Sequence, residues 1–166
     1  MKRIKATIAY DGTKYNGWQI QRSTANTIQG KISAVLERMC GHEVELQGSG
    51  RTDAGVHAKA QVASFDMDDK FSPKNIHQYL CQYLPEDIAV IKVEEADCAF
   101  HARLSCKSKT YMYRIHISDV PNVFERKYVY TYTDSKLDIG KMREAALALT
   151  GTHDFKAFCG NPKMKK

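Results

Sequence analysis

The succession of hydrophobic periods over residues 3–93 constrains the fold more than any other feature of the chain. Residues 3–10 alternate, with Ile4, Ala6, Ile8 and Tyr10 on one side, which predicts a strand. Residues 27–40 carry Ile28, Ile32, Val35, Leu36 and Met39 as one helical stripe, with Asn26 and Gln29 at capping-box spacing and Gly41 as the stop. Short strands are expected over 43–47, with Val44 and Leu46 inward, and over 60–67. Ser72 and Pro73 open a second helix whose stripe is Ile76, Tyr79, Leu80, Tyr83 and Leu84, and Pro85 stops it before a strand at 88–93. The order β-α-β-β-α-β predicts an α+β, ferredoxin-like sandwich with an antiparallel sheet, self-contained over 1–103.

Residues 104–166 do not complete a second unit of that kind. Strands are expected over 109–117 and 127–133, and a helix over 137–149 ended by Gly151. Two strands and a helix cannot cover both faces of a sheet. This part therefore reads as the start of a second domain of similar type, cut short, and the chain as an N-terminal fragment whose exposed apolar face favours self-association.

Charge is uneven along the chain. Residues 1–60 hold nine Lys/Arg against five Asp/Glu, residues 61–105 four against eight, and residues 106–166 twelve against six, for a net charge of +6. A basic face suited to a polyanion such as RNA is the expectation. There is no apolar run of about 18 residues and no apolar leader at MKRIKATIAY, which points to a cytoplasmic protein. The five cysteines, an odd number with no C-x-x-C spacing, read as buried reduced thiols, with Cys40 and Cys81 on the helices. The six histidines show no metal-ligand spacing.

The chemistry concentrates in GSGRTDAGVHA at 48–58, where glycines surround Arg51, Thr52, Asp53 and His57. Arg51 can pair with Asp53 and keep it ionised, or hold a phosphate or a base. A positioned, ionised Asp53 can act as nucleophile or general base. The plainer alternative is an Asx-turn aspartate beside a solvated arginine. There is no second acid close by, so paired-carboxylate hydrolysis is not supported.

This segment resembles the signature of the TruA family of tRNA pseudouridine synthases. YDGTKYNGWQIQ at 10–21, FHAR at 100–103, KTYMYRI at 109–115 and GTHDF at 151–155 resemble the family's other blocks, in the same order. The resemblance implies isomerisation of uridine to pseudouridine at positions 38, 39 and 40 of the tRNA anticodon stem-loop, without cofactor or metal. It implies a homodimer of two-domain subunits. Asp53 matches the family's nucleophile, with attack on base or ribose left open. Arg51 matches an arginine that pairs with the carboxylate and helps hold the target nucleotide out of its stack. Tyr111 matches the tyrosine lying against the uracil, placed here at the start of a strand. Lys14 and Gln19, in the 10–21 block, become candidate RNA contacts. Family members run longer than this chain, and the part beyond it carries the rest of the second domain, much of the subunit interface and a basic partner for the aspartate. The fragment alone is therefore expected to be inactive. The alternatives are a non-catalytic RNA-binding ferredoxin-like module, which would need stacking aromatics on its sheet face, and a small-molecule hydrolase using Asp53.

Overall fold

The computed structural model describes residues 1–133 and 137–158. The chain divides into two compact units, Met1–Met112 and the part from Tyr113 onward. Residues 104–112, assigned from sequence to the second domain, thus cluster with the first unit.

In the first unit, β1 (Lys2–Tyr10), α1 (Ile28–Cys40), β2 (Gln47–Gly48), β3 (Ala58–Met67), α2 (Pro73–Tyr83) and β4 (Ile88–Glu95) follow in the expected order. The sheet order is β2-β3-β1-β4, with every neighbouring pair antiparallel. Alternation along β1 buries Ile4, Ala6, Ile8 and Tyr10. They meet Phe65, Ala63 and Met67 of β3, Ile28, Ile32 and Leu36 of α1, and Ile76 and Leu80 of α2 in one core. α2 starts with the expected cap: Ser72 accepts from the Asn75 amide and Asn75 Oδ1 accepts from the Ser72 amide, a reciprocal capping box behind Pro73.

The opposite sheet face is charged and partly covered. Arg3 pairs with Asp66 and Lys5 with Glu94 across the strands. Residues 96–102 lie along this face: the Ala96 amide donates to the Arg3 carbonyl at 2.9 Å and the Ala102 amide to the fully buried Ser64 Oγ at 3.0 Å. The FHAR block therefore closes part of the sheet's second face, which offers no row of exposed aromatics for stacking bases.

Several local expectations change. The cap of α1 is Thr27, not Asn26; Thr27 Oγ1 accepts from the Gly30 amide, and Gln29 instead reaches the Ile20 amide and the Leu46 carbonyl. That side-chain bond takes the place of a strand partner for Leu46. Val44 and Leu46 are buried as expected, yet only Gln47 and Gly48 pair, with Ser64 and Ala63. Of the cysteines, Cys81 and Cys98 are exposed and Cys40 and Cys106 half-buried; Cys159 lies outside the described residues. Cys81 stays exposed at the flank of α2, where its thiol reaches the Val90 carbonyl of β4 at 3.8 Å and lies outside the Ile76–Leu80 stripe.

The second unit contains β5 (Ile115–Ile117) and β6 (Tyr130–Tyr132), paired in parallel, then α3 (Ile139–Ala148) capped by Asp138. Both strands are shorter than their alternation suggests. Residues 109–114 form no strand, and Tyr111 and Tyr113 both stay exposed, so the alternation there does not separate an inner from an outer face. α3 buries none of its side chains among the described residues, and Ile117, Leu147, Leu149 and Phe158 remain more than half exposed. No helix of the described residues is long and apolar enough to cross a membrane.

Candidate active site

Two loops build one surface at the end of the first sheet. Tyr10 of β1 faces Ala58 of β3. The segment leaving β1, residues 11–21, and the segment entering β3, residues 49–57, therefore emerge side by side. A register shift between Ile8 and Tyr10 puts an irregularity of β3 next to this junction, the usual place for a bulge that re-aims a functional loop.

The two segments are bonded along their length. The Trp18 amide donates to the Thr52 carbonyl at 3.0 Å and the Gly55 amide to the Tyr15 carbonyl at 3.3 Å. Tyr10 Oη and Thr52 Oγ1 are 2.8 Å apart. Trp18 is 1% exposed and Tyr15 6%, so this irregular segment is anchored by its own aromatics in the core. The Tyr15 hydroxyl donates to Asp87 ahead of β4. Burial, with that carboxylate close by, holds the Tyr15 phenol well above the usual range.

Glycine makes the approach of the two backbones possible. A Cβ on Gly12 would lie 2.0 Å from the Val56 carbonyl oxygen. One on Gly17, at φ +86°, would lie 2.6 Å from the Thr52 carbonyl oxygen and 3.2 Å from the Asp53 carbonyl carbon. Trp18 and the glycines of YDGTKYNGWQIQ thus form the bed on which GRTD rests.

Asp53 opens a turn, its carbonyl accepting the Val56 amide at 3.2 Å. Its side chain is exposed, and its carboxylate has no hydrogen bond or ion pair among the described residues. The Arg51–Asp53 pair expected from the sequence is not formed. Arg51 Nε donates instead to Gln19 Oε1 at 3.1 Å, because the guanidinium is drawn to an acceptor on the neighbouring segment. Two residues singled out separately from the sequence, Arg51 and Gln19, are thereby joined. Lys14 is exposed on the 3₁₀ turn Gly12–Lys14, its carbonyl accepting from Asn26 Nδ2 at 2.6 Å.

Tyr111 is 78% exposed and is not on a strand. Burial chiefly raises the Tyr10 pKa, the Thr52 bond opposes that, and the Tyr111 phenol adds a smaller upward push. The Tyr10–Thr52 bond thus sets the residue before Asp53 against the end of β1. Lys109, two residues before Tyr111, lies beside Gly50: a Cβ there would be 3.4 Å from Lys109 Nζ.

Sequence reasoning missed Tyr10, Trp18 and Lys109 as parts of this surface and left His57 as an isolated histidine. His57 Nδ1 is 3.0 Å from Asp11 Oδ1 and 3.1 Å from the Gly12 amide. Aromatics flanking two glycines in YDGTKYNGW were the available signal for the first two. Among the described residues, no three or more His, Cys, Asp or Glu side chains are grouped to hold a metal ion. The depression lined by Glu37, Gly41, His42 and Glu43, and another lined by Arg3, Val44, Gln47 and His101 among others, do not include Asp53, which stands on open surface.

Residues 6–105 match the family model described as tRNA pseudouridine synthase. The chain is 48% identical over 166 residues to tRNA pseudouridine synthase A 2 of Bacillus anthracis, covering all of this chain and 67% of that protein. It is 46% identical to tRNA pseudouridine synthase A of Bacillus sp. (strain KSM-64), again over the whole chain and 67% of the relative. With tRNA pseudouridine synthase A 1 of Clostridium tetani it shares 46% identity over 95% of this chain and 64% of that one. The chain therefore spans about two-thirds of the length of these relatives, and it belongs to the tRNA pseudouridine synthase family.

Proposed function

We propose that the protein is a cytoplasmic tRNA pseudouridine synthase that isomerises uridine at positions 38, 39 and 40 of the anticodon stem-loop, with Asp53 as its nucleophile. The observation that carries this reading is the Asp53 turn. An exposed carboxylate, with no partner among the described residues, stands on a backbone locked from below by Trp18, Tyr15 and Gly17. Such an acid is held in place without being neutralised, as a nucleophile requires.

In the reaction the N1–C1′ bond of uridine breaks and a C5–C1′ bond forms. The C5 proton is released and N1 gains one, so substrate and product are isomers. Asp53 bonds covalently to one fragment while the base turns over, and its carboxylate is freed when the new bond closes. The base must leave its stack to be reached. Arg51, whose guanidinium is oriented by Gln19, supports the displaced nucleotide, and the Tyr111 ring supplies a face for the uracil. Lys14 and Gln19 contribute to the RNA-binding surface, Lys14 through its charge and Gln19 through its hold on Arg51. The exposed apolar side chains of the second unit, Ile117, Leu147 and Phe158 among them, support assembly as a homodimer.

Tritium release from tRNA carrying uridine tritiated at C5 tests the activity, since each turnover must lose that atom. No release by the intact protein beside an active relative would exclude this function. An RNA-binding module would bind the tRNA without release, and a small-molecule hydrolase would do neither.

Tyr111 divides into two expectations. If the ring is a platform, Tyr111→Ala weakens binding of the target base by roughly 1–3 kcal/mol relative to Tyr111→Phe. If the hydroxyl moves a proton, Tyr111→Phe already slows turnover while tRNA affinity holds. Wild-type kinetics in both variants would remove Tyr111 from the site.

A further inference from the structure

We infer that His57 and Asp11 form a clasp that positions the catalytic turn, making His57 a positioning residue for Asp53. The inference rests on the synthase reading for its kinetic consequence but on geometry for its existence. The turn 53–56 is fixed at its beginning by the 15–18 segment, through the Trp18–Thr52 and Tyr15–Gly55 bonds. Its far end passes into His57 and then β3. There the Gly12 backbone packs directly on the Val56 carbonyl, and His57 Nδ1 meets both Asp11 Oδ1 at 3.0 Å and the Gly12 amide at 3.1 Å.

This ring nitrogen ties the exit of the turn to one of the first two residues after β1 in either protonation state: bare, it accepts the Gly12 amide, and protonated, it donates to Asp11 Oδ1. Asp11 is itself held: its Oδ1 accepts from the Thr13 amide at 2.9 Å and its own amide donates to the Asp87 carbonyl at 2.9 Å. His57 is therefore attached to a part of the chain anchored from both sides. The Asp53 carbonyl accepts the Val56 amide, so a shift of residues 56–57 is passed through that bond to the residue bearing the nucleophile. A displacement of about 1 Å at a reacting group can cost on the order of 100-fold in rate. The clasp acts on the backbone of the turn, through Val56 and His57, and not on the side chains proposed to hold RNA, so its loss should be felt in turnover more than in binding.

Three substitutions at one position isolate the Nδ1 contact. Asparagine places a polar atom where Nδ1 sits; glutamine places its amide one carbon further out; alanine removes both. In the intact protein, His57→Ala and His57→Gln should lower kcat roughly 10–100-fold with KM for tRNA held within about twofold. His57→Asn should recover kcat to within about threefold of wild type. Amide hydrogen exchange over residues 53–56 reads the clasp without turnover: it should quicken in His57→Gln and stay near wild type in His57→Asn. If His57→Ala does not fold, the Gln and Asn pair decides the matter. Equal exchange and equal kcat for Gln and Asn would overturn the clasp, as would a loss expressed as raised KM. Distinct exchange in the Gln and Asn variants, with no tritium released by the wild type, would leave the clasp standing and sink the synthase reading instead.

Discussion

Asp53→Asn abolishes tritium release from tRNA, by on the order of 10⁴-fold or more, while tRNA affinity stays near wild type. The amide keeps the shape of the side chain but cannot form the covalent bond that splits the isomerisation into two steps. Folding should be untouched, because the Asp53 carboxylate makes no hydrogen bond or ion pair among the described residues whose loss would cost stability. The turn is held by backbone groups that the substitution leaves in place. Pseudouridine formed at the wild-type rate would end the nucleophile assignment. A matching fall in affinity would instead make Asp53 a binding residue. Arg51→Ala separates from this pattern, because the guanidinium engages Gln19 and not Asp53. It should weaken binding of the target nucleotide as well as turnover. If only salt-dependent affinity falls, Arg51 is a phosphate contact and nothing more.

The elements legible from sequence are those in which burial enforces a period. Ile4, Ile8, Ile28, Ile32, Leu36, Ile76 and Leu80 are all within 1% of full burial, and their spacing alone places β1, α1 and α2. What escaped is held by contacts without a period. Trp18 and Tyr15 are core residues in a segment with no regular structure beyond one 3₁₀ turn, so no window of alternating or helical spacing could find them. The cap of α1 was read one residue early because Asn26 and Gln29 match the capping-box pattern, whereas Gln29 is engaged by Ile20 and Leu46. Residues 109–114 alternate without a strand partner, and alternation is only half of what a strand needs. The candidate site is legible as a motif, GSGRTDAGVHA at 48–58. Its mechanics are not, because the Tyr10–Thr52 and Asp11–His57 contacts join positions more than forty residues apart.

Gly17→Ala tests whether the bed beneath Asp53 matters as much as the carboxylate. At φ +86° an L-residue is strained, by roughly 1–2 kcal/mol. The new methyl would also stand 2.6 Å from the Thr52 carbonyl oxygen and 3.2 Å from the Asp53 carbonyl carbon, both backbone atoms that cannot rotate away. Overpacking of this kind costs roughly 1–3 kcal/mol more. Gly41→Ala is the matched control: its φ is +85°, it caps α1 far along the chain, and nothing lies within 4 Å of its Cβ position. Gly41→Ala should therefore lose only the conformational part of the stability and keep its kcat. Gly17→Ala should lose both parts, shown as a lower urea midpoint than Gly41→Ala at unchanged m-value. Its kcat should fall beyond what the unfolded fraction explains, because the atoms displaced are those of Asp53 and its neighbour. Equal midpoints for the two variants would mean that the 49–57 segment yields freely to the methyl group. Normal turnover in Gly17→Ala would then show that the placement of Asp53 does not depend on this interlock.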